Sequence, residues 1–135
     1  MATSRFALLV ALSALSGTAQ AQNLLYSTET SPPSITVIDA DTLATITTLS
    51  LAEAPGRPVA STDGKRVFVE TASGIVVIDT STHLVETTLP FTGVPEPDPS
   101  PGFVWAVQSS SAGGGPEDGT LFLNRIHVPS QTRNR

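Results

Sequence analysis

Apolar residues in this chain come in short runs, several alternating with threonine, and each run stops at a cluster of Gly, Pro, Asp or Ser. That punctuation marks many short strands. It predicts strands over Leu24 to Thr28, Ile35 to Asp39, Ala44 to Leu51, Pro58 to Ser61, Arg66 to Glu70, Gly74 to Asp79 and Leu84 to Pro90. Beyond the first residues no window sustains the i, i+3, i+4, i+7 spacing of an amphipathic helix, so the fold class is all-β. Ile75-Val76-Val77-Ile78 is apolar at both parities and requires cover on both faces. Thr45-Ile46-Thr47-Thr48-Leu49 and Glu86-Thr87-Thr88-Leu89 mix polar with apolar positions and suit half-exposed strands.

One pattern is written twice. Ser34-Ile35-Thr36-Val37-Ile38-Asp39-Ala40-Asp41-Thr42 returns about forty residues later as Gly74-Ile75-Val76-Val77-Ile78-Asp79-Thr80-Ser81-Thr82. A strand, an Asp and a Thr at this period predict a stacked-repeat β architecture. In a radial blade the inner strands pack against neighbouring blades while the outermost strand meets water, which accounts for the gradient from Val-rich to Thr-rich strands. Asp39 and Asp79 stand where a carboxylate accepts from the N–H groups of the following turn. Asp39-Ala40-Asp41 starts like a calcium loop, but Leu43 and Ala44 stand where a further ligand and a Gly are needed. Asp63-Gly64 is a hairpin signal, with Lys65 and Arg66 as solvated flanks.

These residues resemble the YVTN-type β-propeller repeat family. The match runs through Gly56-Arg57-Pro58-Val59-Ala60-Ser61-Thr62-Asp63-Gly64-Lys65-Arg66-Val67-Phe68-Val69, then Ile75-Val76-Val77-Ile78-Asp79 and Thr82. The preceding unit supplies Leu25-Tyr26-Ser27, Ile35-Thr36-Val37-Ile38-Asp39 and Thr42. Departures are Thr62 for the usual Pro, Phe68 for Tyr, and Pro32-Pro33 in the first unit's loop. The resemblance spans Leu24 to about Pro95. It implies antiparallel four-stranded blades of a partial β-propeller, acting as an exported binding or scaffold module, with no shared catalytic residue to carry over.

The third unit departs most. Pro95-Glu96-Pro97-Asp98-Pro99-Ser100-Pro101-Gly102 stands where an inner strand belongs, before Phe103-Val104-Trp105-Ala106-Val107 resumes the pattern. Prolines exclude a central strand. Because all four share one parity, Glu96, Asp98 and Ser100 could still pair along one edge; a polyproline-like linker is the other reading. The Gly/Ser-rich loop from Ser109, a last strand at Thr120-Leu121-Phe122-Leu123 and a polar, disordered tail complete the chain, so residues 22–108 hold the blades and 109–135 the rest. Propellers close with 4 to 8 blades of about forty residues, so the smallest needs roughly 160. This chain cannot close alone, and a homo-oligomer completing the ring is one remedy.

Composition adds a compartment. Met1 to Ser4 and Arg5 lead into Phe6-Ala7-Leu8-Leu9-Val10-Ala11-Leu12 and on to Ala19-Gln20-Ala21, the pattern of a signal peptide over residues 1–21 cleaved before Gln22. The product is then secreted or periplasmic. Removing 21 of 135 residues leaves 114, and losing Arg5 moves the formal charge from -5 to -6. An acidic chain without a basic stripe does not suit nucleic acid. With no cysteine it has neither a disulfide nor a thiolate site, and the mature chain has no second apolar run of spanning length.

Chemical motifs are sparse. Gly113-Gly114-Gly115 lacks the rest of a P-loop, His83 and His127 lie far apart, no G-x-S-x-G elbow occurs, and Glu117 and Asp118 sit in a Gly-rich loop. Trp105 reads as a packed strand residue, or as an aromatic beside a channel. No catalytic, metal or cofactor residue is therefore expected. A protein or small ligand would meet the loop between blades, with Glu53 and Arg57 as candidate contacts, although Arg57 also reads as a solvated turn residue. The alternatives are a fragment of a propeller enzyme, either a lactonase-like hydrolase or a redox-enzyme subunit, and a truncated product inactive alone. Metal or heme binding and turnover distinguish the enzyme; sedimentation and a cooperative melt distinguish the truncated product.

Overall fold

The computed structural model describes residues 22–110 and 120–129. Residues 1–21, read above as a signal peptide, the glycine run with Glu117 and Asp118, and the last six residues lie outside them. Ten strands run in chain order: β1 (Leu24–Thr30), β2 (Pro33–Asp39), β3 (Thr45–Ser50), β4 (Pro58–Ala60), β5 (Arg66–Glu70), β6 (Ile75–Asp79), β7 (Leu84–Leu89), β8 (Val94–Pro97), β9 (Phe103–Ser110) and β10 (Thr120–His127). They form three antiparallel sheets, each a meander of sequential neighbours: β1-β2-β3, then β4-β5-β6-β7, then β8-β9-β10. No helix among the described residues is long and apolar enough to cross a membrane.

The double apolar parity of the middle sheet explains how the three are assembled. From one face Phe68, Ile75 and Val77 pack with Val104, Ala106, Ile126 and Val128 of the third sheet. From the other, Val67, Val69, Val76 and Ile78 pack with Ile35, Tyr26 and Leu49 of the first. Alternation along β5 and β6 therefore feeds two cores at once. Covering each such side chain contributes about 1.5–3 kcal/mol, so the middle sheet depends on both neighbours.

The repeat is geometric as well as textual. The β2–β3 ladder shifts register between Val37 and Ile38, and the β6–β7 ladder between Val77 and Ile78. The extra residues are Ile46 and Glu86, again about forty apart. A bulge at this point bends and twists the outer strand of each sheet. Leu43 and His83 share a left-handed backbone, with φ of 60° and 57°. Their N–H groups donate to the carbonyls of Asp39 and Asp79 at 2.8 and 2.9 Å.

The structure decides one open alternative and departs from the sequence expectations in two places. Of the two readings of the proline-rich segment the edge strand holds for Val94–Pro97, which pairs with β9 at the edge of the third sheet. Pro95 and Pro97 share a parity, which leaves Val94 and Glu96 to supply the donors. Strand β9 continues through Ser110, and β10 runs on to His127 rather than ending at Leu123. The polar pair Asn124-Arg125 obscured that continuation; Arg125 holds its place by an ion pair instead of apolar burial. Arg66 is not a solvated flank. Its guanidinium donates to both Glu86 oxygens at 2.8 and 2.9 Å, with side chains only 17% and 8% exposed.

Candidate functional site

A wide opening among the described residues lies between the first and second sheets, at the end where the Asp turns sit. Its walls include Leu24, Leu25 and Tyr26 from β1, Ala60 and Val67 from the second sheet, and the turn residues Ala40, Thr80 and Ser81, around a cleft of about 720 Å³. The topology accounts for the gap: the second sheet has β4 inside β5, whereas among the described residues no strand pairs on the other side of β1. The Tyr26 hydroxyl is buried without a hydrogen-bond partner. Burial, aided by the Asp79 charge, raises its pKa above the ordinary phenol value, so it remains a neutral donor.

The two aspartates beside this cleft are occupied. Asp39 Oδ1 accepts from the N–H groups of Asp41 and Thr42 at 2.9 and 3.0 Å. Asp79 Oδ1 accepts from those of Ser81 and Thr82 at 2.7 and 3.1 Å and from the Ser81 hydroxyl at 2.5 Å. The Thr42 and Asp41 N–H groups hold the Asp39 carboxyl below its ordinary range. Burial pushes Asp79 upward, but the Ser81 and Thr82 donors and the Arg66 charge outweigh it, and its pKa is also lowered. Both carboxylates are spent on turn formation, which is the role their spacing suggests.

Glu53 and Arg57 are placed in separate contacts. Glu53 Oε2 accepts from the backbone N–H and hydroxyl of Ser73, both at 2.9 Å, and ties the loop before β4 to the β5–β6 hairpin. Those hydrogen bonds lower its pKa. Arg57 Nη2 donates to Glu96 Oε1 at 3.1 Å and joins the edges of the second and third sheets. Both partners are largely exposed, so the pair contributes little to stability.

A second polar cluster, absent from the sequence reading, closes one end of the third sheet. Asp98 is buried, and its carboxylate accepts from Arg125 Nε and Nη2 at 2.7 and 3.1 Å and from the Ser100 N–H at 2.7 Å. Arg125, aided by the Ser100 N–H, holds the Asp98 carboxyl down at about 2. The same guanidinium lies over the Phe103 ring, 4.0 Å from its centre, and His127 meets that ring edge-on at 5.0 Å. The Thr62 hydroxyl donates to the Asp98 carbonyl oxygen at 3.1 Å and fastens the β4–β5 turn to this end. Asp98 and Arg125 are 27 residues apart, a separation no local motif spans. Only the shared parity of the proline segment pointed toward Asp98.

Among the described residues no group of three His, Cys, Asp or Glu side chains is arranged to hold a metal. No family model and no curated protein matches the chain.

Proposed function

We propose that this chain is an exported, non-catalytic module of the β-propeller repeat type that binds a protein or small ligand. The observation that carries the reading is the repetition of one Asp turn, one left-handed residue and one bulge in two successive sheets that pack face to face. Stacked repeats of this kind serve as rigid platforms whose open clefts and loops make the contacts. The YVTN-type sequence pattern and the signal-peptide pattern support the same reading. The ligand surface is the cleft beside Tyr26, where an unpartnered phenol sits among apolar walls.

Two measurements test it. The full chain fused to a reporter enzyme that works only outside the cytoplasm is expected to give an active reporter, and deletion of residues 1–21 to abolish it; a reporter inactive in both forms refutes export. A thermal-shift screen of peptides and small molecules is then run on the wild type and on Ala60→Trp, which fills the cleft. Ligands that stabilise only the wild type support the site. Equal stabilisation of both refutes it, and turnover of a ligand refutes the non-catalytic reading.

A further inference from the structure

The core between the second and third sheets gives out at the end where β5 turns into β6. Phe68 and Ile75 face the third sheet, and Glu70, next on the same side of β5 and paired with Ile75, faces the same way. From the third sheet Val104 and Ala106 face inward, so Gln108 does too, with Phe122 opposite it on β10. A glutamate, a glutamine and a phenylalanine thus replace the apolar row around a cleft of about 540 Å³, which Thr92 and Gly93 also line. This cleft lies at the opposite end of β5 from the one beside Tyr26, which borders Gly64 and Val67.

Glu70 stands apart from the other acids. Asp39, Asp63 and Asp79 accept from turn N–H groups, Glu53 accepts from Ser73, and Glu86, Glu96 and Asp98 are paired with arginines. Among the described residues Glu70 is the half-buried acid whose carboxylate has neither a hydrogen bond nor an ion pair. The described cations are committed elsewhere: Arg57, Arg66 and Arg125 hold Glu96, Glu86 and Asp98, and Lys65 precedes the far end of β5. The stretch from Ser111 to Gly119 that joins β9 to β10 contains no Lys or Arg. Gly56 leaves the carboxylate room, since a Cβ there would stand 3.3 Å from Glu70 Oε2.

We propose that this cleft binds a small organic cation, a primary ammonium group carried on an apolar body. The Glu70 carboxylate supplies the opposite charge in a part-buried setting, where an ion pair is stronger than on the open surface. Phe122 is 50% exposed, and its ring offers the cation–π contact that favours an ammonium over a neutral head group. Gln108 Nε2 donates to the Thr92 hydroxyl at 2.6 Å, which leaves Oε1 as an acceptor for an ammonium N–H. Val94 and Val107 supply apolar wall for the alkyl body. A divalent metal suits the cleft poorly, because among the described residues no second His, Cys, Asp or Glu lines it. The volume is that of a small-molecule site. The site is separate from the cleft beside Tyr26 and depends on neither export nor the propeller reading.

Hexylammonium is the probe, with hexanol and hexanoate as its neutral and anionic matches. Each is titrated into isotopically labelled protein, purified after expression of the full chain, and followed by amide shifts in proton–nitrogen NMR spectra. Saturable shifts are expected at Glu70, Gly93, Gln108 and Phe122 with hexylammonium alone, and they should weaken as salt is raised. Glu70→Gln is expected to weaken binding about tenfold or more, the loss of a charge-assisted hydrogen bond. Phe122→Leu is expected to weaken it about two- to fivefold, the loss of an exposed cation–π contact. Gln108→Lys places an ammonium of the chain itself in the cleft and is expected to abolish binding; it serves where Glu70→Gln disturbs the fold. Ala60→Trp, which fills the other cleft, is expected to change nothing. Absence of saturable shifts at these residues overturns the proposal, as does equal binding of hexanol or full affinity in Glu70→Gln. Loss of binding in Ala60→Trp overturns it in favour of the Tyr26 cleft.

Discussion

Arg66 and Glu86 allow a repeat-to-repeat exchange whose outcome can be worked out beforehand. The pair is bidentate and mostly shielded, with side chains 17% and 8% exposed. Removing one member of a fully buried pair costs about 3–5 kcal/mol, while an exposed pair contributes about 0–1. Residual exposure places Glu86→Ala between these limits, at about 2–3 kcal/mol, because Arg66 then keeps a long contact of 3.4 Å to the Pro129 carbonyl and the weaker attraction of Asp63 and Asp79. The first sheet suggests the repair: at the corresponding positions, opposite the last strand residue and at the bulge, it carries Leu24 and Ile46. Arg66→Leu with Glu86→Ile removes the desolvation cost of both charges and is expected to fall within about 1 kcal/mol of wild type. Urea unfolding at neutral pH, analysed as a double-mutant cycle, reads both values. If Glu86→Ala costs under about 0.5 kcal/mol, the pair acts as a solvated one and the burial argument fails. A double variant as unstable as the single one refutes the equivalence of the two bulges.

Leu43 is 74% exposed and held at φ 60°, so Leu43→Gly relieves left-handed strain without losing packing and should stabilise by about 0.5–1 kcal/mol; a lowered urea midpoint contradicts this. A Cβ on Gly74 would collide with the Leu89 carbonyl oxygen, while one on Gly64 at φ 68° meets nothing, so Gly74→Ala should cost more than the roughly 1–2 kcal/mol of purely torsional strain expected for Gly64→Ala; the reverse order in thermal melts argues against it. The Asp98 carboxyl is depressed to about 2 from 3.8, so its contribution is complete above the ordinary value and disappears as the pH falls toward 2. The melting temperature should therefore drop between about pH 4 and 2, and Asp98→Asn should shrink that drop; an unchanged acid profile in the variant removes the ion pair from the explanation.

The strands of the first two sheets were legible because local signals agreed: Asp-Gly at the β4–β5 turn, Asp then Thr after β2 and β6, and double-parity apolar residues in β6. The third sheet was harder to read because its stabilising contacts join distant residues. Arg125 belongs in β10 because Asp98 receives it, and Pro95 and Pro97 pair because their parity spares the donors that β9 needs. Arg66 follows a turn and carries a charge, so it reads as solvated until the bulge brings Glu86 opposite. Neither the Tyr26 cleft nor its orphan hydroxyl has a sequence signature, since both arise where residues of the first and second sheets, far apart in the chain, come together.

The double-sided middle sheet also imposes an order on synthesis. A chain made from its N-terminus completes the first sheet with Ile35 and Tyr26 uncovered until Val67, Val69, Val76 and Ile78 follow, and Phe68, Ile75 and Val77 then wait in turn for Val104, Ala106 and Ile126. Each sheet is thus shielded only by the one made after it, and a pause in translation within residues 51–65 or 90–102 leaves one apolar face open to water.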